Sequence, residues 1–534
     1  MRQCESKISY MKKILGIWIC CAVAVSAMAA PARRIGQVRT LADGTEKTVY
    51  QHGDEFFHYL TDEDGTWLDE TTLMPLAEKV KSEKLKVKSE AEVRRVQATT
   101  GLDTLLAPRG AIILVSYPDL AFTSTNADMT DWAMGENYSY NGATGSIHQY
   151  FWDQSWGQYD LQLDVYGPVT VSKEMAYYGQ DGSKTGADQH ADELVVEACQ
   201  LAAAQGADFS PYDYNNDGKV DWVVVLFAGL GQNDGGAANT IWPHQSDLSY
   251  KGKAFQLNGK TVDHYCILNE IDGVTNMRSG IGTFCHEFSH IMGLPDLYTT
   301  DGSTHKTLGM WDLMDYGIYN NDLNTPPNYS VYERWFMGWM QPQLLSSAAK
   351  VTLPVSDTKA GCYITESGEP VDNILRAYPP CYILENRQQT GWDTYLPGHG
   401  MIITRLEFKY NNWNGNTVNN TASKMGVDLI EADGLAPSRD DNNRKNGYFG
   451  KPGDAYPEGA TSFTKVSGFQ VTDITEQEGM IRFLLNGGGG ELPLGFEATP
   501  ESETGVQKRM ENGQIVILRE GKKYTLTGLE IFDF

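Results

Sequence analysis

From Gly110 onwards, apolar residues change repeatedly between strand-like and helix-like spacing. The uninterrupted run AIILV at 111–115 predicts a buried strand, and KVDWVVVLFA at 219–228 predicts a central strand. Between them, GSIHQYFWDQSWG at 145–157 predicts a short aromatic helix, and helical apolar spacing over 188–204 predicts an amphipathic helix. Alternating helices and strands indicate a domain of the α/β (α+β) class over residues 110–345.

The pattern changes after this domain. Residues 346–486 contain short strand-like runs such as VTLPV and GMIITRLEF, separated by Gly, Pro, Asn and Asp. We interpret this region as a β-rich, sandwich-like domain packed on the preceding one. Residues 487–534 begin with four glycines, which indicate a linker, and continue as a short tail with two strands around a Gly-Lys turn.

The first 29 residues have the features of a secretory signal. Met11-Lys12-Lys13 is positively charged, the next dozen residues are apolar, and Ala27-Met28-Ala29 has the small-x-small form that precedes cleavage. We expect cleavage between Ala29 and Ala30, with Met11 as the true start. A lipoprotein signal is the alternative, although no small residue precedes Cys20. The sequence therefore predicts export, to the medium or to the cell surface.

Residues 30–109 form a separate leading segment in this interpretation. It combines strand-like pieces with a charged stretch in which KVKSE occurs twice, at 79–83 and 86–90. A leading segment of this kind behind an export signal is commonly removed on maturation, so we expect a removable propeptide. The alternative is an N-terminal domain that is retained.

Composition excludes some partners. The chain has 534 residues and a formal net charge of -26, which argues against nucleic acid as a partner.

Beyond the signal, no segment is long and apolar enough to predict a membrane span. Five cysteines follow the signal, an odd and sparse set that predicts buried free thiols and no disulfide framework. We expect a monomer.

The strongest chemical motif is His286-Glu287-Phe288-Ser289-His290, which has the HExxH form of zinc peptidases. Histidines four positions apart lie on one face of a helix and can bind the same Zn²⁺. Glu287 can then take a proton from metal-bound water as the general base. Gly293 extends the motif, since glycine lets the chain leave the helix sharply and return a third ligand.

The third zinc ligand has two candidates. Asp296 completes the extended motif HExxHxxGxxD, and a carboxylate oxygen is an acceptable zinc ligand. Alternatively, Asp296 is an outer anchor and Glu333, in a helical run downstream, is the ligand. The spacing favours Asp296.

A turn with the sequence GMWDLMDYG follows at 309–317, and a methionine turn beneath the metal is typical of this group of peptidases. Met314 is the candidate methionine. Tyr316, two residues later, could reach the metal or the developing oxyanion of a tetrahedral intermediate. A buried tyrosine without a catalytic role is an equal alternative.

A second metal motif lies upstream. Asp213, Asn215, Asp217 and Asp221 stand at positions 1, 3, 5 and 9 of a loop whose sixth residue is Gly218, as in Ca²⁺-binding loops. Position 12 is not the glutamate of a complete EF-hand, and a strand follows instead of a helix. The sequence therefore predicts structural Ca²⁺, with an ion-free turn as the alternative.

Several of these stretches together resemble the immune-inhibitor-A-like secreted zinc metallopeptidases. The similar stretches include YGPVTVSKEMAYYG, DYNNDGKVDWVVVLFAGLG, TIWPH, GIGTFCHEFSHIMGLPDLY, GMWDLMDYG and YERWFMGW, in order along the chain. The resemblance implies a metzincin-like catalytic domain, zinc at His286 and His290 with Glu287 as general base, a propeptide, and calcium at the Asp213 loop. Relatives often carry serine after the turn methionine, where this chain has aspartate, so the resemblance does not assign Tyr316.

The sequence thus predicts an exported zinc endopeptidase whose partners are protein or peptide substrates. The rival hypothesis is a secreted binding or adhesion protein on a peptidase fold with little or no catalysis. The intact Glu287 favours the enzyme, because a degenerate relative is expected to lose the general base first.

Overall fold

A computed structural model provides the fold of the chain. It describes residues 28–33, 36–40, 46–55, 57–70, 72–76, 108–182, 187–303, 305–371, 380–434 and 450–494, together with the backbone of four strands in the tail. Most of the predicted signal and both copies of KVKSE lie outside the described residues.

The predicted signal contributes one described strand, β1 (Met28–Ala29), and the leading segment contributes four. The four are β2 (Gln37–Thr40), β3 (Glu46–Asp54), β4 (Phe57–Thr61) and β5 (Trp67–Leu68). Strands β2 to β5 form their own antiparallel sheet around Val49, Leu60 and Leu68. Strand β1, which is the last two residues of the predicted signal, does not join them and pairs with the sheet of the next domain.

The next seven strands run through the predicted α/β domain. They are β6 (Arg109–Ser116), β7 (Gln162–Thr170), β8 (Val223–Leu230), β9 (His244–Asp247), β10 (Phe255–Leu257), β11 (Lys260–Val262) and β12 (His264–Ile271). The main sheet has the order β1-β9-β12-β8-β6-β7, and β10 and β11 form a hairpin. Strand β8 is central as predicted, because its continuous apolar residues are buried on both faces of the sheet.

Strands β6, β7, β8 and β12 are parallel, whereas β9 runs antiparallel to β12 along one side of the sheet. The short strand β1 adds to the free side of β9 in antiparallel register, with Met28 opposite Gln245 and Ala29 opposite His244. The end of the predicted signal therefore continues the sheet at the side where the zinc-motif helix lies.

Seven α-helices lie within the described residues. They are α1 (Asn126–Met134), α2 (Ile147–Gln154), α3 (Met175–Tyr178), α4 (Ala191–Ala204), α5 (Gly282–Ile291), α6 (Val331–Phe336) and α7 (Tyr410–Asn414). Helices α2 and α4 confirm the two helices expected from apolar spacing. Every residue of α5, which carries the HExxH motif, is buried.

The β-rich region contains two five-stranded sheets. Its strands are β13 (Gln343–Leu344), β14 (Ala349–Leu353), β15 (Cys362–Thr365), β16 (Cys381–Arg387), β17 (Gly400–Leu406), β18 (Val427–Leu429), β19 (Phe463–Val466), β20 (Phe469–Gln477), β21 (Met480–Leu485) and β22 (Gly490–Pro493). One sheet has the order β13-β15-β16-β17-β18 and the other β19-β20-β21-β14-β22. The glycine run is therefore not linker throughout, since β22 begins at Gly490 and pairs with β14.

Alternation along β16 explains how this region packs. Cys381 and Ile383 belong to the core of the α/β domain, whereas Tyr382 and Leu384 belong to the core shared by the two five-stranded sheets. Successive side chains of a strand point to opposite faces, so one sheet lies between the two cores. The β-rich region is thus fixed against the domain that carries the zinc motif.

The tail continues as four antiparallel strands, β23 (Val506–Glu511), β24 (Gln514–Arg519), β25 (Lys522–Tyr524) and β26 (Glu530–Ile531). The five cysteines predicted to be free thiols are unpaired and buried. Among the described residues, no helix is both long and apolar enough to cross a membrane.

Candidate functional site

Helix α5 and the turn after it bring the predicted zinc ligands together. His286 and His290 lie one turn apart on α5. Gly293 then adopts a φ of 100°, a left-handed conformation that suits glycine and ends the helix. Its N–H donates to the carbonyl of His290, and the chain turns back so that Asp296 faces both histidines.

The three candidate ligand atoms form a nearly equilateral triangle. The Nε2 atoms of His286 and His290 are 3.1 Å apart, and each lies 3.2 Å from Oδ1 of Asp296. All three residues are buried. Three ligand atoms at this separation suit one tetrahedral Zn²⁺ with ligand bonds of about 2 Å.

The hydrogen bonds of the two imidazoles strengthen the case for a metal. Nδ1 of His286 donates to the carbonyl of Leu313 at 2.9 Å, and Nδ1 of His290 donates to the carbonyl of Leu294 at 2.8 Å. These bonds assign the hydrogen to Nδ1 and leave both Nε2 lone pairs facing each other. Two facing lone pairs repel, so the arrangement calls for a shared cation.

Asp296 is held by a residue from the β-rich region. Oδ1 of Asn416 accepts the N–H of Asp296 at 2.8 Å, and Nδ2 of Asn416 donates to Oδ2 of Asp296 at 2.5 Å. Oδ1 of Asp296 makes no hydrogen bond within the described residues. Burial raises the pKa of this carboxyl, but His290 and His286 outweigh burial and hold the pKa well below its usual range. The free oxygen is an anion directed at the histidines, as a metal ligand should be.

Glu287 is fully buried beside this triangle. Neither of its carboxyl oxygens makes a hydrogen bond of normal geometry within the described residues. Burial, and then the charge of Asp296, raise its pKa well above the usual value, while the nearby N–H groups of Ala30 and Gln245 lower it. A desolvated carboxylate with a raised pKa is suited to take a proton from water.

Glu333, the alternative zinc ligand, has a different role in the structure. It occupies the third position of α6, where its Oε2 accepts the N–H of Ser330 at 2.6 Å and the Ser330 hydroxyl at 2.9 Å. Ser330 in turn caps the helix by accepting the N–H of Glu333. This reciprocal pair is a capping box, and it stabilises the start of α6. The structure brings Asp296, and not Glu333, into the triangle of possible ligands.

The methionine turn packs directly against the zinc-motif loop. The carbonyl of Met314 accepts the N–H of Leu297 at 2.7 Å, and Met314 is fully buried. Tyr316 is also buried, and its ring centroid lies 6.3 Å from that of Tyr298. The turn thus supports the loop that carries Asp296.

Tyr298 is a candidate that the sequence analysis missed. Its hydroxyl donates to the carbonyl of Ala29 at 2.5 Å, and its ring stacks near that of His286 with centroids 6.5 Å apart. The only local signal was its position two residues after Asp296. The tertiary structure makes Tyr298 a candidate because it places the backbone carbonyl of Ala29 beside the Tyr298 hydroxyl.

That carbonyl belongs to residues 28–33, here called the cleft segment. Its residues are almost completely buried over α5 and β9. Beyond its pairing with β9, the Ala30 carbonyl accepts the indole N–H of Trp242 at 2.9 Å, and the Pro31 carbonyl accepts the Tyr319 hydroxyl at 2.5 Å. The cleft segment therefore lies across the site, with the Ala29–Ala30 peptide next to Glu287 and Tyr298.

The predicted calcium loop is less clearly a metal site. Oδ1 and Oδ2 of Asp213 accept the N–H groups of Asp217 and Gly218, both at 3.0 Å, and Lys260 lies 2.6 Å from Oδ2. Asn215 also accepts the Asp217 N–H, and Oδ2 of Asp221 accepts the Tyr214 N–H at 2.8 Å. Among the described residues, the carboxylates of Asp213, Asp217 and Asp221 do not offer three ligand atoms that all lie within 4.8 Å of one another. Calcium at this loop stays a prediction.

Comparisons with known proteins agree with the zinc-motif geometry. Residues 121–344 match the family model described as immune inhibitor A peptidase M6, catalytic domain. The chain is 27% identical over 245 residues to the pre-pro-metalloprotease PrtV of Vibrio cholerae serotype O1, covering 41% of this chain and 26% of PrtV. It is 29% identical over 216 residues to immune inhibitor A of Bacillus thuringiensis subsp. alesti, covering 36% of this chain and 31% of that protein. The matched regions thus span under a third of these curated relatives.

Proposed function

Because residues 121–344 match the family model described as immune inhibitor A peptidase M6, catalytic domain, we propose that the chain is an exported zinc endopeptidase acting on extracellular proteins. The single observation that carries this proposal is the buried triangle of His286, His290 and Asp296, in which two imidazole lone pairs and an unbonded carboxylate oxygen converge. These three residues would hold the zinc ion. Bound zinc polarises a carbonyl oxygen and lowers the pKa of its water to about 7.

Glu287 is the proposed general base. It takes a proton from the attacking water and later delivers that proton to the leaving amine, so that the peptide bond is replaced by a carboxylate and an amine. Its burial next to the Ala29–Ala30 peptide supports this role, because the substrate peptide would occupy the same place.

Tyr298 is the proposed donor to the substrate carbonyl. The hydrogen bond from its hydroxyl to the Ala29 carbonyl has the geometry that would stabilise negative charge developing on that oxygen. The ring of Tyr316 packs beside that of Tyr298, with centroids 6.3 Å apart. Tyr316 is therefore proposed as a supporting residue.

Latency and export are further parts of the proposal. The cleft segment spans the predicted signal cleavage site, and its residues 30–33 are the start of the leading segment. It fills the place of a substrate, which supports a propeptide over residues 30–109. PrtV is described as a pre-pro-metalloprotease, a name for a precursor with a leader and a pro-segment. We also propose that the catalytic domain is metzincin-like and that the β-rich region is sandwich-like. Calcium at the Asp213 loop and a monomeric state are two further proposals.

The test is hydrolysis of casein by the zinc-loaded full-length chain after limited trypsin digestion has removed the leading segment. Glu287→Gln keeps the size of the side chain and should lower the rate by roughly 100- to 10,000-fold, because general base catalysis is lost. A zinc chelator should abolish hydrolysis in the unsubstituted enzyme, and added zinc should restore it. Folded, zinc-loaded protein that cleaves neither casein nor a broad peptide library would favour the binding or adhesion hypothesis.

A further inference from the structure

A buried acidic pocket lies at the far end of the cleft segment and holds Arg33. Nη1 of Arg33 lies 3.2 Å from Oδ1 of Asp234 and 2.5 Å from Oδ2 of Asp272, and Nη2 contacts Asp322. The guanidinium also lies over the ring of Tyr319, 5.3 Å from its centroid. The side chain of Arg33 is only 4% exposed, so three carboxylates and an aromatic face enclose it.

The pocket belongs to the catalytic domain. Its two buried aspartates are also held in place by contacts that do not involve Arg33. Oδ1 of Asp272 accepts the N–H and hydroxyl of Thr275 at 2.6 and 2.7 Å, which leaves Oδ2 for a ligand. Oδ2 of Asp234 accepts the N–H of Gly273 at 2.9 Å. A Cβ at Gly273 would lie 1.6 Å from the Asp234 carbonyl oxygen, so only glycine lets the two acidic loops approach this closely.

The pocket also has a defined position relative to the peptide bond that would be cleaved. If the Ala29–Ala30 peptide marks the scissile bond, Ala30, Pro31, Ala32 and Arg33 are the first to fourth residues after it. The pairing of β1 with β9 is antiparallel, and the Arg33 N–H donates to the Asn233 carbonyl at 2.9 Å, so the backbone is held at both ends. A substrate bound in the same direction would place its fourth residue after the bond in this pocket.

We propose that Asp234, Asp272 and Asp322 form a substrate subsite that selects arginine, and next lysine, on the carboxyl-terminal side of the cleaved bond. Arg33, near the start of the leading segment, occupies this subsite in the latent chain, and a basic substrate side chain occupies it after that segment leaves. The inference rests on the proposed peptidase function and adds its substrate class.

The charges explain why an empty pocket is unfavourable. Asp234 and Asp272 are almost completely buried, and burial raises the pKa of Asp234 to about 7 while Arg33 acts against that rise. Removing the cation leaves desolvated carboxylates without a partner, which a basic side chain would relieve. Arginine should be preferred because its planar fork can contact three carboxylates at once, whereas the lysine ammonium is a single point of charge.

The test uses quenched fluorescent peptides of sequence Ala-Ala-Pro-Ala-X, with X as arginine, lysine, leucine or glutamate, and the trypsin-activated, zinc-loaded full-length chain. The expected order of kcat/KM is arginine, lysine, leucine, glutamate, with arginine over leucine by on the order of 100-fold. Asp272→Asn should lower kcat/KM for the arginine peptide by about 30-fold and change the leucine peptide little.

Two further variants distinguish loss of the subsite from loss of the folded structure. Asp322 is 47% exposed, so Asp322→Asn should keep the fold and reduce the arginine preference less than Asp272→Asn does. Asp473→Asn removes an exposed carboxylate from β20 and should leave the preference unchanged. Melting temperatures of all variants establish that each is folded.

Equal kcat/KM for arginine and leucine in folded, active enzyme would overturn the subsite and leave the peptidase proposal standing. The same holds if Arg33→Ala in the full-length chain raises its basal activity while the activated enzyme shows no preference at X, since the pocket would then only anchor the cleft segment. If no peptide is cleaved, anisotropy of labelled peptides with Glu287→Ala protein separates the two failures. Tighter binding of the arginine peptide there would support the subsite although the peptidase proposal had failed.

Discussion

The zinc motif and the Asp213 loop are both short, local motifs. They differ in whether the protein's own hydrogen bonds already occupy the candidate ligand atoms. At the zinc motif, three ligand atoms lie 3.1–3.2 Å apart, and their own hydrogen bonds direct lone pairs to the centre. At the Asp213 loop, backbone N–H groups and the Lys260 ammonium already occupy the oxygens of Asp213. Spacing in the sequence brings candidate ligands near each other. A metal is favoured only where the ligand atoms have no other hydrogen-bond or ion-pair partner in the protein.

Burial accounts for much of this difference. The residues of the zinc triangle are fully buried, so water cannot satisfy their polar atoms. Asn215 and Asp217 of the other loop are exposed and can exchange metal for water at little cost. The comparison therefore predicts a large effect of losing zinc and a modest effect of losing calcium.

The largest effect is expected from Asp296, the proposed third zinc ligand. Asp296→Ala should weaken zinc binding by more than about 100-fold, beyond the loss usual for an outer partner of a ligand, and activity should fall with it. Zinc content after dialysis, measured by atomic emission, checks this result. Glu333→Gln is the matched control, which should keep its zinc and lose about 1 kcal/mol of stability through the damaged helix cap. The reverse pattern would make Glu333 the ligand.

A smaller effect should separate the two tyrosines beside the triangle. Tyr298→Phe removes the proposed donor to the substrate carbonyl, so kcat should fall by roughly 100- to 1,000-fold with zinc content unchanged. Tyr316→Phe should cost much less, because in this proposal the donor is the Tyr298 hydroxyl, which contacts the Ala29 carbonyl. Steady-state kinetics on one peptide substrate compare them, and a larger loss for Tyr316→Phe would reassign the donor.

The smallest effect is expected at the Asp213 loop. Calcium at about 100 times its Kd should stabilise the chain by about 2.7 kcal/mol and raise its melting temperature by a few degrees. Asp217→Ala should abolish that rise, and Lys260→Met should enlarge it because the competing ammonium is removed. Calorimetric scans with calcium and with a calcium chelator measure both. An unchanged melting temperature in all three proteins would leave an ion-free turn, and the contrast with the zinc motif would be complete.

Local features were readable from the chain alone because their residues are close in sequence. His286, Glu287, His290 and Asp296 span eleven positions, so helical geometry and one glycine turn are enough to bring them together. The central strand β8 was equally visible, since a strand buried on both faces has a continuous apolar run. The five free thiols followed from their odd number and sparse spacing.

The partners of these local features were decided only by the tertiary structure. Asn416, which orients Asp296, stands 120 positions away, and Arg33 meets Asp234, Asp272 and Asp322 across 201, 239 and 289 positions. No short-range pattern encodes such pairs, because they depend on how the sheets, the zinc-motif loop and the leading segment pack. The residues from 286 to 296 thus determined by themselves where a metal could bind. Packing alone decided that the cleft segment covers this site and that a buried acidic pocket receives its arginine.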